Sequence, residues 1–320
     1  ARERFYYDGK RWQQDAGGMV AENKAKELSD ILCAYVNRIE DEAVRTGYMK
    51  HIAKLGSRRV RKTMIDDSRD LNFITNADMD KDLFLLNCQN GVLDLRTFEF
   101  KEHSPDFLMA KLAQVEYAPA AGCREWEQFI DEVLEKDCAK IEYLQKLLGY
   151  SLTGGTAEEC CYLLYGASTR NGKSTLVETY SYMLGNTDGY ALNMKPETLA
   201  QKQNTDSRQA SGDIARLDGC RFLNASEPPK RMIFDVALLK TLLGRDSITA
   251  RHLHQSEFQF MPVFKLFVNT NHLPLITDDT LFTSGRLNVI TFNRHFKPEE
   301  QDKALKDRLK ESKNLSGLLN

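Results

Sequence analysis

The sequence predicts an α/β fold with a parallel central sheet, preceded by a smaller α+β domain. Three observations carry that expectation. From Cys160 onward, short apolar runs alternate with helical stretches, which is how a parallel sheet covered on both faces is written. The first of those runs feeds a Gly-bounded polar loop that opens a helix at Ser174. Before residue 118, turn-punctuated strands share the chain with a long helical stretch. The expected boundaries are 1–118 for the α+β domain, 119–157 for a helical linker or collar, and 158–320 for the α/β domain.

Taken in order, RFYYDGKRW sets Asp8–Gly9 between aromatic arms and predicts a hairpin. From Val20 to about Lys54, Leu28, Leu32, Tyr35, Val36 and Ile39 recur at helical spacing and predict a helix. The basic cluster Arg58, Arg59, Arg61 and Lys62 reads first as a solvated helix face and second as a phosphate-contacting patch. LFLLNCQNGVLDLRTFEF predicts three strands that turn at Asn90–Gly91 and near Arg96–Thr97. YAPAAG (117–122) reads as a linker, with helices to follow around Trp126–Leu134 and Ile141–Leu152. CYLLY is a short buried strand, and further strands are expected at Arg221–Ala225, Phe264–Val268 and Leu287–Phe292, with a helix at Val236–Leu243. The last segment, Pro298 to Leu319, is charged and helical, with Leu305, Leu309 and Leu315 as sparse apolar positions.

A length of 320 residues suggests two domains at about 150 residues each. With 42% hydrophobic and 28% charged residues, a disordered chain is excluded. The longest apolar runs, CCYLLYGA and LFLLNC, are less than half of what a membrane span needs, so no membrane insertion is expected. Net charge is −2, which neither advertises nor excludes a polyanionic partner. Seven cysteines without a CxxC pair suggest neither a zinc site nor a disulfide framework and fit a reducing cytoplasm. The opening ARERFYYDGK carries no initiator Met and no signal-peptide core, so the expectation is a fragment of something longer.

The chemistry concentrates in YGASTRNGKST, residues 165–175. A Gly-rich turn after a buried strand lets backbone N–H groups converge on a phosphate, and the next helix adds its dipole. Gly166, Asn171, Gly172, Lys173, Ser174 and Thr175 are the candidate ATP-binding residues. Lys173 would reach the β- and γ-phosphates, and the Ser174 hydroxyl would complete Mg²⁺ coordination. The strict spacing requires Gly at position 167, where this chain has Ala167; with Gly166 as the outer glycine the loop is one residue longer. Such a loop needs an acid on a neighbouring strand. CRFLNASEPPK supplies Ser226–Glu227 at a strand end, so Glu227 would polarise the attacking water and help hold the metal. The lesser reading of Glu227 is a surface glutamate before a Pro–Pro turn. FKLFVNTNHLP delivers Asn271 at another strand tip, where an amide can orient water or sense the γ-phosphate. SGR places Arg286 at the start of a further strand, a position from which an arginine finger could reach a neighbour's site.

The order NGKST, a strand ending in Glu, KTLLGRDSITAR, TNHLP and then SGR resembles the superfamily 3 helicases, more narrowly the phage and plasmid primase–helicases. NGVLDLRT and LQKLLGYSLTG resemble the segments that precede the motor in that family. The resemblance implies an AAA+-like P-loop NTPase domain behind a collar-type N-terminal domain. It implies a homo-hexamer that hydrolyses ATP with Mg²⁺ and moves 3′→5′ on single-stranded DNA. Lys173, Ser174, Glu227 and Asn271 would then act in one subunit and Arg286 from its neighbour. The family also carries a DNA-touching β-hairpin, which SITARHL, HQSE and FQFMP supply here with His254–Gln255 at the tip. Where related rings often show a lysine followed by histidine, this chain lacks the lysine. Lys240, Arg245 and Arg251 are the nearby basic candidates, and Lys202 and Arg208 lie in another candidate channel loop. The family's upstream primase domain and downstream winged-helix-like segment have no counterpart here, so primer synthesis is not attributed to the chain. The expected setting is a bacterial host's cytoplasm, with a phage or mobile element as source and a primase or initiator as partners. The alternatives are a P-loop small-molecule kinase, an origin-binding assembly protein with slow or no unwinding, and an RNA-directed motor.

Overall fold

A computed structural model describes residues 4–71, 73–201, 212–251, 256–278 and 280–320, and its contacts divide the chain into two compact units. The first comprises residues 1–81 with 104–110. Its hairpin pairs β1 (Phe5–Tyr7) with β2 (Trp12–Gln14). Asp8 forms the turn, its Oδ1 accepting from the N–H groups of Lys10 and Arg11, each at 2.8 Å. Three helices follow, α1 (Met19–Val36), α2 (Glu42–Leu55) and α3 (Arg58–Asp67). The single helix predicted from Val20 to about Lys54 is therefore two. Asp41 breaks it: its backbone is extended, and its carboxylate caps α2 by accepting from Ala43 and Val44 N–H. Part of the basic cluster serves the fold. Arg61 donates to the carbonyls of Leu55 and Gly56 at the end of α2, both at 2.7 Å, and Arg58 pairs with Glu22.

The second unit comprises residues 82–103 and 111–320. It begins with an antiparallel meander, β3 (Leu85–Cys88), β4 (Gly91–Asp94) and β5 (Phe100–Lys101), then helices α4 (Arg124–Val133) and α5 (Cys138–Leu152). The elements β6 (Cys161–Tyr165), α6 (Lys173–Leu184), β7 (Ala191–Met194), α7 (Gly212–Ala215) and β8 (Phe222–Ser226) come next. They are followed by α8 (Val236–Leu243), β9 (Ile248–Arg251), β10 (Glu257–Phe260) and β11 (Lys265–Thr270). The chain closes with α9 (Thr280–Thr283), β12 (Leu287–Thr291), α10 (Leu305–Leu309) and α11 (Ser312–Leu319). Five strands form a parallel sheet in the order β12-β6-β11-β8-β7, while β9 and β10 pair as a separate hairpin. Residues of β6 alternate between two cores: Tyr162 and Leu164 pack with α4, α5 and α6, and Cys161 and Leu163 with α8. Both faces are covered, as the continuous apolar run CYLLY implies. The final helical segment expected from Pro298 to Leu319 is shorter in two pieces, α10 and α11.

The meander β3–β5 groups with the parallel sheet, whereas the sequence reading joined it to the N-terminal residues. A buried arginine explains the difference. Arg221, immediately before β8, donates to the carbonyls of Leu152 at 2.6 Å and Leu85 at 2.8 Å and lies 4.4 Å from the centre of the Tyr190 ring. The Tyr190 hydroxyl in turn accepts from Asn87 N–H at 3.1 Å. Nothing in the local pattern of residues 85–101 announces these long-range partners. Lys265, the first residue of β11, is a second buried basic side chain on this edge. Its amine nitrogen donates to the Thr153 carbonyl and sits 4.6 Å from the centre of the Tyr150 ring. Together the two side chains satisfy the carbonyl end of α5.

Burial, reinforced by the positive Arg221, pushes the Lys265 amine down to about 6 from 10.5. The unfolded chain then binds more protons than the folded chain between these values, so stability rises with pH through that window. From pH 6 to 7.5, below the ionisation of the thiols in the unfolded chain, urea melts are expected to show stability climbing by up to about 1.4 kcal/mol per pH unit. Lys265→Met should flatten that slope, and an unchanged slope in the variant would reject the buried-amine assignment.

Candidate functional site

The parallel sheet brings the ends of β6, β8 and β11 to one edge, and the chemistry-bearing side chains lie there. After β6, residues 166–172 form a loop that ends at Gly172, which takes a left-handed φ of +85° and precedes the first residue of α6, Lys173. Glycine is required at two places in it. A Cβ on Gly166 would collide with Asn171 Nδ2, lie 2.7 Å from the Phe292 carbonyl and 2.8 Å from Lys173 Nζ. A Cβ on Gly172 would collide with Val133 and press on Phe129, both from α4. The tip of the loop is pinned from outside: Phe296 N–H donates to the Arg170 carbonyl at 2.9 Å, and His295 Nδ1 lies 2.8 Å from the Thr169 carbonyl. Asn171 is buried and donates to the Ser168 carbonyl at 2.7 Å, so its amide braces the loop.

Lys173 is only 3% exposed. Its ammonium donates to Asn271 Oδ1 at 2.8 Å and approaches the Gly166 carbonyl at 3.5 Å. Desolvation pushes this amine down to about 8, and the Glu227 carboxylate works in the opposite direction. The sequence-predicted residues Gly166, Gly172, Lys173 and Asn271 are thus in contact around one cation. Asn271 owes its place to β11, which inserts between β6 and β8 and ends one residue before it. Glu227 follows β8 with a left-handed φ of +55°, and its N–H donates to the Asn269 carbonyl at 2.8 Å. Its carboxylate is the acid nearest enough to act on Lys173.

Beside this cation, Ser174 and Glu227 line a cleft of about 470 Å³. Helix α6 presents Ser174, Glu178 and Ser181 to it from successive turns, and Asn193, Asn224, Ser226 and Asn269 line it from the sheet. Thr175, one position further along α6, is part-buried and does not line this cleft. Two buried polar atoms in the lining, Ser181 Oγ and Asn224 Oδ1, find no hydrogen-bond partner among the described residues. Sequence reasoning missed Ser181, Asn193, Asn224 and Asn269. The available signal was an asparagine following apolar residues in each of three strands, ALNM, FLNAS and KLFVNT. β7 itself was not predicted. Among the described residues no group of three or more His, Cys, Asp and Glu could hold a metal. Oxygen donors with few carboxylates suit Mg²⁺, which keeps several waters and leans on phosphate oxygens.

The remaining candidates are placed elsewhere. Arg286 sits at the opposite edge of the sheet, its carbonyl accepting from Cys161 N–H at the start of β6. Its guanidinium pairs with Glu159 at 2.7 Å, a carboxylate that also approaches Arg245 at 3.6 Å. Lys240 is held by Asp278 at 2.8 Å and Thr280 at 3.1 Å. The hairpin expected around the tip has β9 and β10 as its arms, with Arg251 at the end of β9. His254 and Gln255 lie outside the described residues, as do Lys202 and Arg208. Among the described residues no helix is long and apolar enough to cross a membrane.

Residues 1–135 match the family described as D5 N terminal like, and residues 164–286 match a family of unknown function, DUF5906. A protein named as a helicase, L207/L206 of Acanthamoeba polyphaga mimivirus, is 30% identical over 311 residues, covering 95% of this chain and 30% of the relative. A protein named as a primase, C962R of African swine fever virus, is 23% identical over 208 residues, covering 64% of this chain and 21% of the relative. The chain thus spans less than a third of the length of these curated relatives. The apo structure of the NrS-1 C-terminal region shares the fold with a TM-score of 0.50 at 13% identity, over 64% of this chain and 47% of that one. The family matches and viral relatives together support a member of a primase–helicase family.

The glycine geometry sets a test. Gly172→Ala is expected to cost about 2 kcal/mol or more in chemical denaturation, from the left-handed backbone and the collision with Val133. Gly149→Ala, in helix α5 with open space around its Cβ, should instead stabilise by about 0.5–1 kcal/mol. Equal effects at the two positions would contradict the loop's packing.

Proposed function

We propose that the chain is the motor of a replicative DNA helicase, which binds ATP and Mg²⁺ at the loop 166–172 and hydrolyses ATP between subunits of a homo-hexamer. The observation that carries this reading is the buried Lys173 ammonium, which meets a neutral amide from the adjacent parallel strand and has an acid on the strand beyond. A buried cation without a bonded counter-ion is poised for an anion. A triphosphate in the loop would draw on the backbone N–H groups of residues 167–174, the dipole of α6 and Lys173 together. Bound Mg²⁺ would supply charge neutralisation of the phosphates, with the Ser174 hydroxyl and Glu227 as its protein contacts.

Glu227 would accept the proton of the attacking water. Asn271, released from Lys173 as the ammonium turns to phosphate, would hold that water in line by its carboxamide. Within one subunit Arg286 is separated from the loop by the five residues of β6, about 16 Å of strand. That separation favours action on a neighbour's γ-phosphate, with Glu159 as its resting partner. Single-stranded DNA would follow the hairpin β9–β10, contacted by Arg251 and by His254 and Gln255. Lys240 would have to leave Asp278 to join them. Sixfold repetition of such contacts reconciles a net charge of −2 with a polyanionic track. The viral relatives named as helicase and primase support a place in DNA replication, with a primase or an initiator among the partners. By the resemblance above, movement is 3′→5′, and a virus or mobile element is the source.

Two variants test the reading. Lys173→Ala is expected to abolish ATP hydrolysis, and retained turnover would reject the site. Arg286→Ala should bind ATP near normally and turn over at least about 10³-fold more slowly. Mixing Arg286→Ala with Lys173→Ala subunits should restore part of the rate, because some interfaces then combine one intact loop with one intact arginine. Full activity of Arg286→Ala alone would remove the arginine from the mechanism.

A further inference from the structure

We infer that the exposed basic side of α2 and α3, in the first unit, is a sequence-independent dock for the phosphate backbone of duplex DNA. From Ala43 to Ile65 the chain carries seven Lys and Arg and no Asp or Glu, although the whole chain has 44 basic against 46 acidic residues. On α2, Lys50 and Lys54 stand one turn apart, exposed, on the side opposite the buried Ile52. On α3, Arg58 and Arg59 precede Lys62 by four and three residues, so the three are neighbours on one side, and all three are exposed. Arg61, Met64 and Ile65 make up the half-buried side of that helix. Only Gly56 and Ser57 separate α2 from α3, and Arg61 ties the second helix to the last carbonyls of the first. The two groups of cations therefore share one corner of the unit.

The fold does not use these charges. Among the described residues Arg58 alone of the five meets a carboxylate, Glu22 at 3.2 Å, and its side chain is 79% exposed, a geometry that contributes little. Helix stability gains nothing from them either. Basic residues in a first turn oppose the helix dipole, and α3 has no acid there and no side-chain cap from Ser57. Concentrated, unneutralised positive charge attracts a polyanion. The chemistry of the face selects which one. Tyr48, the one aromatic residue of the stretch, lies on the side of α2 away from Lys50 and Lys54, one turn before Ile52. Single strands are held by base stacking as well as by charge, so a face of cations alone suits the phosphates of a duplex, whose contacts carry no sequence information. The choice of DNA among polyanions rests on the reading of the chain as a replication motor; the charge segregation does not.

The test follows the full chain binding a fluorescent blunt duplex of about 20 base pairs by anisotropy, without nucleotide, between about 0.05 and 0.3 M salt. Lys50→Gln, Lys54→Gln, Arg59→Gln and Lys62→Gln are combined, leaving Arg58 with Glu22. The plot of log affinity against log salt is expected to become shallower by about 0.9 for each removed charge that met a phosphate, and affinity near 0.1 M salt to fall at least about 100-fold. A control combining Lys81→Gln, Lys101→Gln, Lys146→Gln and Lys313→Gln removes as many exposed charges, each of them ion-paired, and should leave the slope within about 0.5 of the wild type. Equal losses in the two variants would assign the effect to overall charge and overturn the dock, as would an unchanged slope in the folded first variant. If that variant does not fold, Arg59→Gln and Lys62→Gln taken singly decide the matter, each expected to lower the slope by about 0.9. A wild-type chain that binds no duplex, that prefers single strands through these residues, or that uses them only on phosphatidylserine vesicles would also overturn it. A chain that hydrolyses no ATP yet binds duplex through this face would keep the dock and lose the motor.

Discussion

The structure of the second unit turns on one buried charge. The Lys173 ammonium lies at the start of α6, 3% exposed, with the neutral Asn271 amide as its nearest acceptor. Burying an ammonium costs several kcal/mol unless groups are arranged around it. The strand order is what arranges them. With β11 between β6 and β8, one edge carries the loop, the amide and the acid side by side. Gly166 leaves the space into which the ammonium reaches, and α4 closes over Gly172 from behind. A phosphate would replace a weak neutral acceptor with an opposite charge.

The other edge of the sheet solves the same problem without a ligand. Arg221 and Lys265 are each 2% exposed and spend their donors on carbonyls at the end of α5 and, for Arg221, at β3. There the carbonyls belong to the fold itself, so these two basic side chains are structural. Arg286 lies on that edge too, but it is more accessible and meets a carboxylate that it shares with Arg245. The sheet thus carries a receptive cation at one edge and a pair of competing arginines at the other.

Much of this was legible in the residues. NGKST singled out Lys173 from a local run of glycine, lysine and hydroxyl, and the structure buries that lysine at the start of α6. The hairpin arms at 248–251 and 257–260 and the meander at 85–101 followed from turn residues and alternation. What was missed was not local. The break between α1 and α2 depended on Asp41 acting as a cap within a stretch whose apolar spacing stays helical. The membership of β3–β5 depended on Arg221, more than a hundred residues away. β7 is four residues long and sits behind a Gly-rich turn, too brief for its alternation to register. Asn193 and Asn224 are read as strand residues until the structure turns them toward one cleft.

The measurement that bears most directly on a nucleic-acid motor is the steady-state ATPase rate with and without single-stranded DNA, using Lys173→Ala to define background. The expected result is hydrolysis that rises several-fold with DNA in the wild type and is absent in the variant. Hydrolysis at the same rate with and without any nucleic acid would contradict a motor, and would leave the loop, the amide and the acid as the site of a different P-loop enzyme.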